Sequence, residues 1–159
     1  MRMPGIVGPL ALAAVFASAG GSAFADDEGH VMGVGVGYSS QFERAFVAVD
    51  FLVGINQWFA VVPNGSYIEA DNVHRWQFGV ELQWHPPIEK LHPKLLAWVG
   101  PGMSFITEDP KGPADATTRD LVVNAVAGVG WDAPASPFIQ VRVTLKDPSN
   151  VGLSIGVRF

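Results

Sequence analysis

The sequence predicts an all-β chain: an eight-stranded antiparallel up-and-down transmembrane β-barrel, polar and glycine-rich inside and apolar outside. Three observations predict it. Apolar residues recur at every second position through most of the chain, the period of a strand whose side chains alternate between two faces. The opposite face carries glycine and a few long polar side chains instead of the dense Lys, Glu and Asp of a water-exposed surface. Tryptophans and other aromatics fall near the ends of the predicted strands.

The chain opens on an export signal. Arg2 supplies a positive start, Ile6 to Ala19 an apolar stretch, and Ala23-Phe24-Ala25 a small-x-small cleavage site followed by the acidic run Asp26-Asp27-Glu28. The apolar stretch is shorter than the ~20 residues a helical span needs. Residues 1–25 are therefore read as a cleaved signal peptide, 26–30 as a short acidic segment and 31–159 as the barrel domain. Cleavage removes Arg2 alone among the charged residues, leaving a chain one unit more acidic than the full-length −5.

Eight strands follow, at about 31–39, 44–54, 57–63, 73–84, 94–106, 119–131, 137–146 and 151–159. The first alternates Val34, Val36 and Tyr38 with Gly33, Gly35 and Gly37. In the fourth, His74, Trp76, Phe78, Val80, Leu82 and Trp84 oppose Arg75, Gln77, Gly79, Glu81 and Gln83. The seventh sets Ile139, Val141 and Val143 against Gln140, Arg142 and Thr144. The eighth sets Val151, Leu153, Ile155 and Val157 against Gly152, Ser154, Gly156 and Arg158. The third is continuously apolar over 55–63. Turn clusters such as Pro63-Asn64-Gly65, Pro86-Pro87 and Asp132 to Ser136 separate the strands. Two loops, 64–72 and 108–118, are the long outward segments. An even number of strands can close and remove its edges. Pro63 and Pro101 have no N–H to donate in such a wall and are expected to force a bulge or local break.

A soluble calyx and a membrane barrel share this alternation with the faces reversed. Repeated glycine on the polar face suits a crowded lumen better than open solvent. The charges there, Asp50, Arg75, Glu81, Arg142 and Arg158, are candidates for a paired network across the lumen, since an arginine facing mid-bilayer lipid costs about 2–4 kcal/mol. Val122, Val126 and Ile106 make part of that lumen apolar. With the N-terminus periplasmic, Trp58, Trp84, Trp98, Trp131 and Phe159 gather at one rim. Tyr38, Phe46, Trp76 and Phe105 gather at the other, so that two aromatic girdles flank the apolar band.

Only 16% of the 159 residues are charged, against roughly 25% in ordinary soluble domains, while 48% are hydrophobic, which excludes a disordered chain. An acidic balance with no basic run speaks against nucleic-acid binding. The absence of cysteine excludes disulfides, thiol catalysis and cysteine-ligated zinc.

With its leader, eight alternating strands and the closing run Val151-Gly152-Leu153-Ser154-Ile155-Gly156-Val157-Arg158-Phe159, the chain resembles the small outer-membrane β-barrels of the OmpA/OmpW-like superfamily. Leu95 to Phe105, Val123 to Trp131 and Pro137 to Lys146 resemble that family's fifth, sixth and seventh strands. The resemblance implies an outer-membrane location, lipid as surroundings, no cofactor, and a terminal aromatic, Phe159, read by the family's barrel-insertion machinery.

Candidates for chemistry are few. His85 and His92 bracket a proline-rich turn containing Glu89, but the spacing is not an established zinc pattern, and they are read as turn histidines. His30 follows the acidic segment. The lipid A deacylase type of small barrel needs a His-x-Ser arrangement where this chain has Leu145-Lys146-Asp147-Pro148-Ser149-Asn150, without a histidine; an unaided serine hydroxyl is a poor nucleophile. The palmitoyltransferase type needs a histidine and a serine near the outer rim, for which His74 with Ser66 or Ser104 is the available pairing. The expectation is therefore a non-enzymatic barrel with a structural envelope role and a closed or very narrow lumen. OmpW-like passage of small hydrophobic solutes is the alternative, and a secreted lipocalin-like calyx the second.

Overall fold

The computed structural model of the chain describes residues 30–71, 73–88, 92–111, 117–145 and 150–159. The predicted signal peptide and acidic segment lie outside these residues, apart from His30 at the start of the first strand. Glu89, Asp147 and Ser149 also lie outside them.

Eight antiparallel strands form a closed barrel in which each pairs with its sequence neighbour and the last pairs with the first. They are β1 (His30–Ser39), β2 (Arg44–Asn56), β3 (Phe59–Glu69), β4 (Val73–Trp84), β5 (Leu95–Pro110), β6 (Thr118–Trp131), β7 (Ser136–Leu145) and β8 (Asn150–Arg158). Closure sets Gly33 opposite Arg158 and Ser39 opposite Gly152, and is extended by reciprocal backbone bonds between Met32 and Phe159 at 2.9 and 3.2 Å. Closing the sheet leaves no free edge to template aggregation.

Local chemistry accounts for the tight corners. The Asn56 side-chain oxygen accepts from the backbone N–H of Trp58 at 2.8 Å and of Phe59 at 3.0 Å, an Asx turn joining β2 to β3. At the β6–β7 corner the Ser136 hydroxyl donates to the Ala133 carbonyl at 2.9 Å. Glu43, before β2, takes a left-handed φ of 51°.

The faces are polar inside and apolar outside. Asp50, Arg75, Gln77, Glu81, Gln83, Asn124, Gln140 and Arg158 are all buried, while Phe78, Val80, Leu82, Met103, Leu121, Ile139 and Ile155 are exposed on the outer wall. A calyx would require the reverse. Charged side chains on the outward face, such as Glu69 and Arg119, sit towards strand ends, where the penalty for meeting lipid fades.

Three expectations are corrected, and that for the prolines is met by its second alternative. The third strand does not stop at Pro63 but runs to Glu69, so the expected 64–72 loop contracts to the few residues before Val73. Each proline makes a local break in the ladder and no bulge. Beside Pro63 the β2–β3 pairing lapses between Asp50↔Asn64 and Val53↔Val61, and β3 keeps unbroken register with β4. Beside Pro101 the β4–β5 pairing lapses between Glu81↔Gly102 and Trp84↔Val99, and register with β6 is continuous. Each missing N–H is thus absorbed on one side of its strand; the one irregularity in β2–β3 register lies at Gly54/Asn56. The fifth strand carries on to Pro110, which moves Glu108 from a predicted loop into the wall. Finally, Trp98 and Phe46 are not girdle residues: they point into the lumen, 3% and 8% exposed.

Candidate functional site

The lumen is the site to which the sequence assigned its charges, and it is built in levels. At the end where β1 begins and β8 finishes, Trp98 lies inside with its indole N–H donating to Gln140 Oε1 at 3.1 Å. Phe138 meets it edge-on at 6.0 Å between ring centroids. The Arg158 guanidinium sits 4.2 Å from the centre of the Trp98 ring and 5.0 Å from that of Phe138, a pair of cation–π contacts completed by a salt bridge to Asp50 at 3.1 Å. Gly33 lies between Asp50 and Arg158 in the wall, and a Cβ there would overlap the Asp50 carboxylate.

One level up, Glu81 is 1% exposed and both its oxygens are engaged: Arg142 Nε donates to Oε1 at 2.8 Å and Gln83 Nε2 to Oε2 at 2.8 Å. Gly102, opposite Glu81 on β5, leaves room for that side chain. Above it, Asn124 donates to the Ser104 hydroxyl at 2.5 Å, over Gly79. Ile106, Val122 and Val126 fill the remaining apolar flank.

Towards the far end, Arg75 pairs with Glu108 at 3.2 Å, donates to Gln41 Oε1 at 3.0 Å and faces the Phe42 ring at 5.0 Å. Ser39 donates to Asn150 at 2.9 Å across the β1–β8 seam.

All five predicted charges face inward, but they form separate pairs instead of one network. Asp50 joins Arg158, Glu81 joins Arg142, and Arg75 takes Glu108, a partner that sequence reasoning had left in a loop. The β4–β5 register sets Arg75 directly opposite Glu108, a relation that no signal along the sequence alone carries. Partnering matters because a buried charge stripped of its mate costs about 3–5 kcal/mol. Between these levels lie cavities of about 20 and 10 Å³. Arg142 lines both, and Gln77, whose Nε2 has no protein partner, lines the larger. Such spaces are of the order of a single water, which needs roughly 10–15 Å³.

On the outer wall Tyr38 and Trp76 stand towards one end, and Trp84 and Trp131 at the other, all exposed. Trp58 is half-buried in the β2–β3 turn, and Phe159 is half-buried just beyond β8. His85, just after β4, donates its backbone N–H to the Trp58 carbonyl at 2.7 Å, and its ring lies 6.4 Å from Trp98. Burial, and after it the Arg158 charge, hold the His85 pKa below its ordinary value. The His92 ring meets Trp131 at 4.6 Å between centroids, tilted by 43°.

The histidine–serine pairing considered for catalysis does not assemble. His74 faces outward and its Nδ1 is hydrogen-bonded to the Tyr67 hydroxyl at 2.8 Å. Ser104 is buried inside against Asn124, and Ser66 lines a luminal cavity. The barrel wall separates nucleophile from base. Among the described residues no group of three His, Asp or Glu side chains converges as a metal site.

The closed eight-stranded antiparallel barrel finds counterparts of the same fold among solved structures. Neisserial surface protein A (NspA) is similar with a TM-score of 0.65 at 12% identity, over 81% of this chain and 94% of that one. The fold is that of the small eight-stranded outer-membrane β-barrels. The N-terminal barrel domain of Pseudomonas aeruginosa OprF is similar at 0.60 and 12% identity, over 83% and 98% of the two chains. The outer-membrane enzyme PagL follows at 0.54 and 11%, over 81% and 98%. No family model and no curated protein matches the sequence. The likeness to these outer-membrane barrels is therefore one of fold.

Proposed function

We propose that the protein is a structural barrel of the outer membrane, exported by its leader, inserted through recognition of the Phe159 terminus, and closed by its own side chains. The observation that carries this reading is the stack of luminal levels, Trp98–Arg158–Asp50, then Glu81–Arg142, then Arg75–Glu108. Eight strands leave an interior that side chains can fill, and here the fill is polar and paired, with Gly33, Gly128 and Gly102 making room for the first two levels. Structural neighbours of this fold are outer-membrane proteins, which supports the location.

A non-enzymatic role is the reading that fits the separation of His74 from Ser66 and Ser104, although the neighbour PagL is an enzyme. The luminal surface offers Val62, Ile106, Val122 and Val126 as apolar patches, but all four are packed shut, which favours closure over passage of small hydrophobic solutes.

The test is direct. Expressing cells are fractionated and the protein run on a gel with and without boiling, then refolded protein is placed in planar bilayers. Outer-membrane recovery, a heat-dependent mobility shift and no steady conductance are expected. Steady channels, or recovery in the soluble periplasm, would overturn the proposal. Acyl-chain analysis of lipid A after incubation checks the enzymatic alternative, with no change expected.

A further inference from the structure

The strand glycines fall into two kinds. At Gly33, Gly79, Gly100 and Gly156 a Cβ would collide with neighbouring backbone or side chains inside the wall, so packing demands glycine. Gly65 is different. It lies on the outward face of β3, between Val49 on β2 and Phe78 on β4, and a Cβ there would meet Phe78 at 3.4 Å and Val49 at 3.7 Å, ordinary contacts. Glycine weakens a strand, and at 65 it lies buried beneath Phe78, its register partner on β4, although a Cβ would find room there.

What the missing side chain leaves is a groove of about 290 Å³ in the outer wall, lined mainly by Val34, Val47, Val49 and an aromatic shelf of Tyr67, Trp76 and Phe78. The shelf is ordered: Trp76 and Phe78 stack at 6.2 Å with planes 2° apart, and Tyr67 meets Trp76 at 4.4 Å. Its upper end is polar. The Tyr67 hydroxyl and His74 Nδ1 share a hydrogen bond of 2.8 Å, which puts a phenol and an imidazole side by side at that end. Around that end Arg44 is matched by Asp71 and Lys111 by Glu69, while Asp109 stands opposite His74 on β5 and Arg119 is exposed on β6.

We propose that this groove holds one acyl chain of a zwitterionic glycerophospholipid, with its ester oxygens at the Tyr67–His74 pair. The proposal rests on the wall facing lipid. An apolar trough with a single hydrogen-bonding end fits an ester-linked chain, and a rim on which carboxylates balance the cations fits a headgroup without net charge better than a polyanionic one. A lipid held this way exchanges more slowly than its neighbours around the barrel.

The full chain is refolded into phosphatidylcholine vesicles containing a small fraction of phosphatidylethanolamine with a photoactivatable acyl chain. Crosslinks are then mapped by peptide mass spectrometry. Labelling is expected to be severalfold higher on the peptides carrying Val49, Gly65 and Trp76 than on the equally apolar wall at Leu121 and Val123. Gly65→Leu returns it to the level of that wall, and Gly65→Ala, whose Cβ fits, lowers it without loss of fold. Tyr67→Phe weakens it while leaving the groove open. A heat-dependent gel shift reports insertion of each variant. Inserted protein labelled evenly around the barrel overturns the groove alone, and so does stronger labelling by an anionic phosphatidylglycerol probe. A wild-type chain that fails to insert overturns the lipid-facing wall and the groove with it.

Discussion

Trp98 lies across Gly128, its register partner on β6, and the indole occupies the space that a side chain at 128 would need. The contact puts the largest side chain of the barrel inside the wall, where its ring carries Arg158 and its N–H is answered by Gln140. An aromatic laid over a strand glycine restores the packing that the glycine gave up, and it anchors β5 to β6, β7 and β8 at once.

Gly128→Ala should therefore overpack this level and destabilise the folded barrel by about 1–3 kcal/mol, the usual effect of forcing a side chain into a filled core. Trp98→Ala should cost about 3–5 kcal/mol. Urea unfolding of vesicle-inserted protein reads both. If Gly128→Ala is neutral, Trp98 is free to move aside.

Arg142 and Glu81 form the buried pair at mid-lumen. Arg142→Met or Glu81→Gln alone should destabilise by about 3–5 kcal/mol, since each strands the opposite charge, and the double variant should recover much of that loss. A double-variant cycle by urea unfolding checks the coupling. Additive effects would mean that the two charges do not sense each other.

His85 gives a pH dependence with a definite sign. Its folded pKa lies below the ordinary 6.5 because of burial and then Arg158. Above pH 6.5 the ring is neutral in folded and unfolded chains alike. As pH falls from there towards the folded value, the unfolded chain takes up a proton that the folded one refuses, and stability declines, levelling off once both are protonated. Unfolding midpoints measured on either side of pH 6.5 should show that decline in the wild type and a shallower one in His85→Gln.

Val80 stands on the outward face in the middle of β4. Val80→Arg should cost about 2–4 kcal/mol if that face meets the bilayer interior. Insertion yield into vesicles and unfolding midpoints check it, and an unchanged yield would argue that water, not lipid, bathes this wall.

Much of this architecture was legible because alternation is local. Period two along β4, β7 and β8 separates lumen from wall without knowledge of any neighbour, and it placed Asp50, Arg75, Glu81, Arg142 and Arg158 inside. The same rule already applied to Trp98, which shares its parity with Gly100 and Gly102, and to Phe46, which shares it with Asp50. An expectation that aromatics near strand ends face lipid overrode it. Pro63-Asn64-Gly65 misled for another reason: the residues that make a turn also serve a strand in which one side of the ladder lapses and one outward position is left bare.

The sequence by itself determined the number of strands, their alternation and the inward side of Asp50, Arg75, Glu81, Arg142 and Arg158, since those follow from the geometry of a single extended chain. Which acid meets which base, where Trp98 rests and what the bare position at Gly65 opens onto were decided only by register between strands. Register is a non-local quantity, set when eight segments close on one another, and it alone brought Arg75 to Glu108 and Arg158 to Asp50.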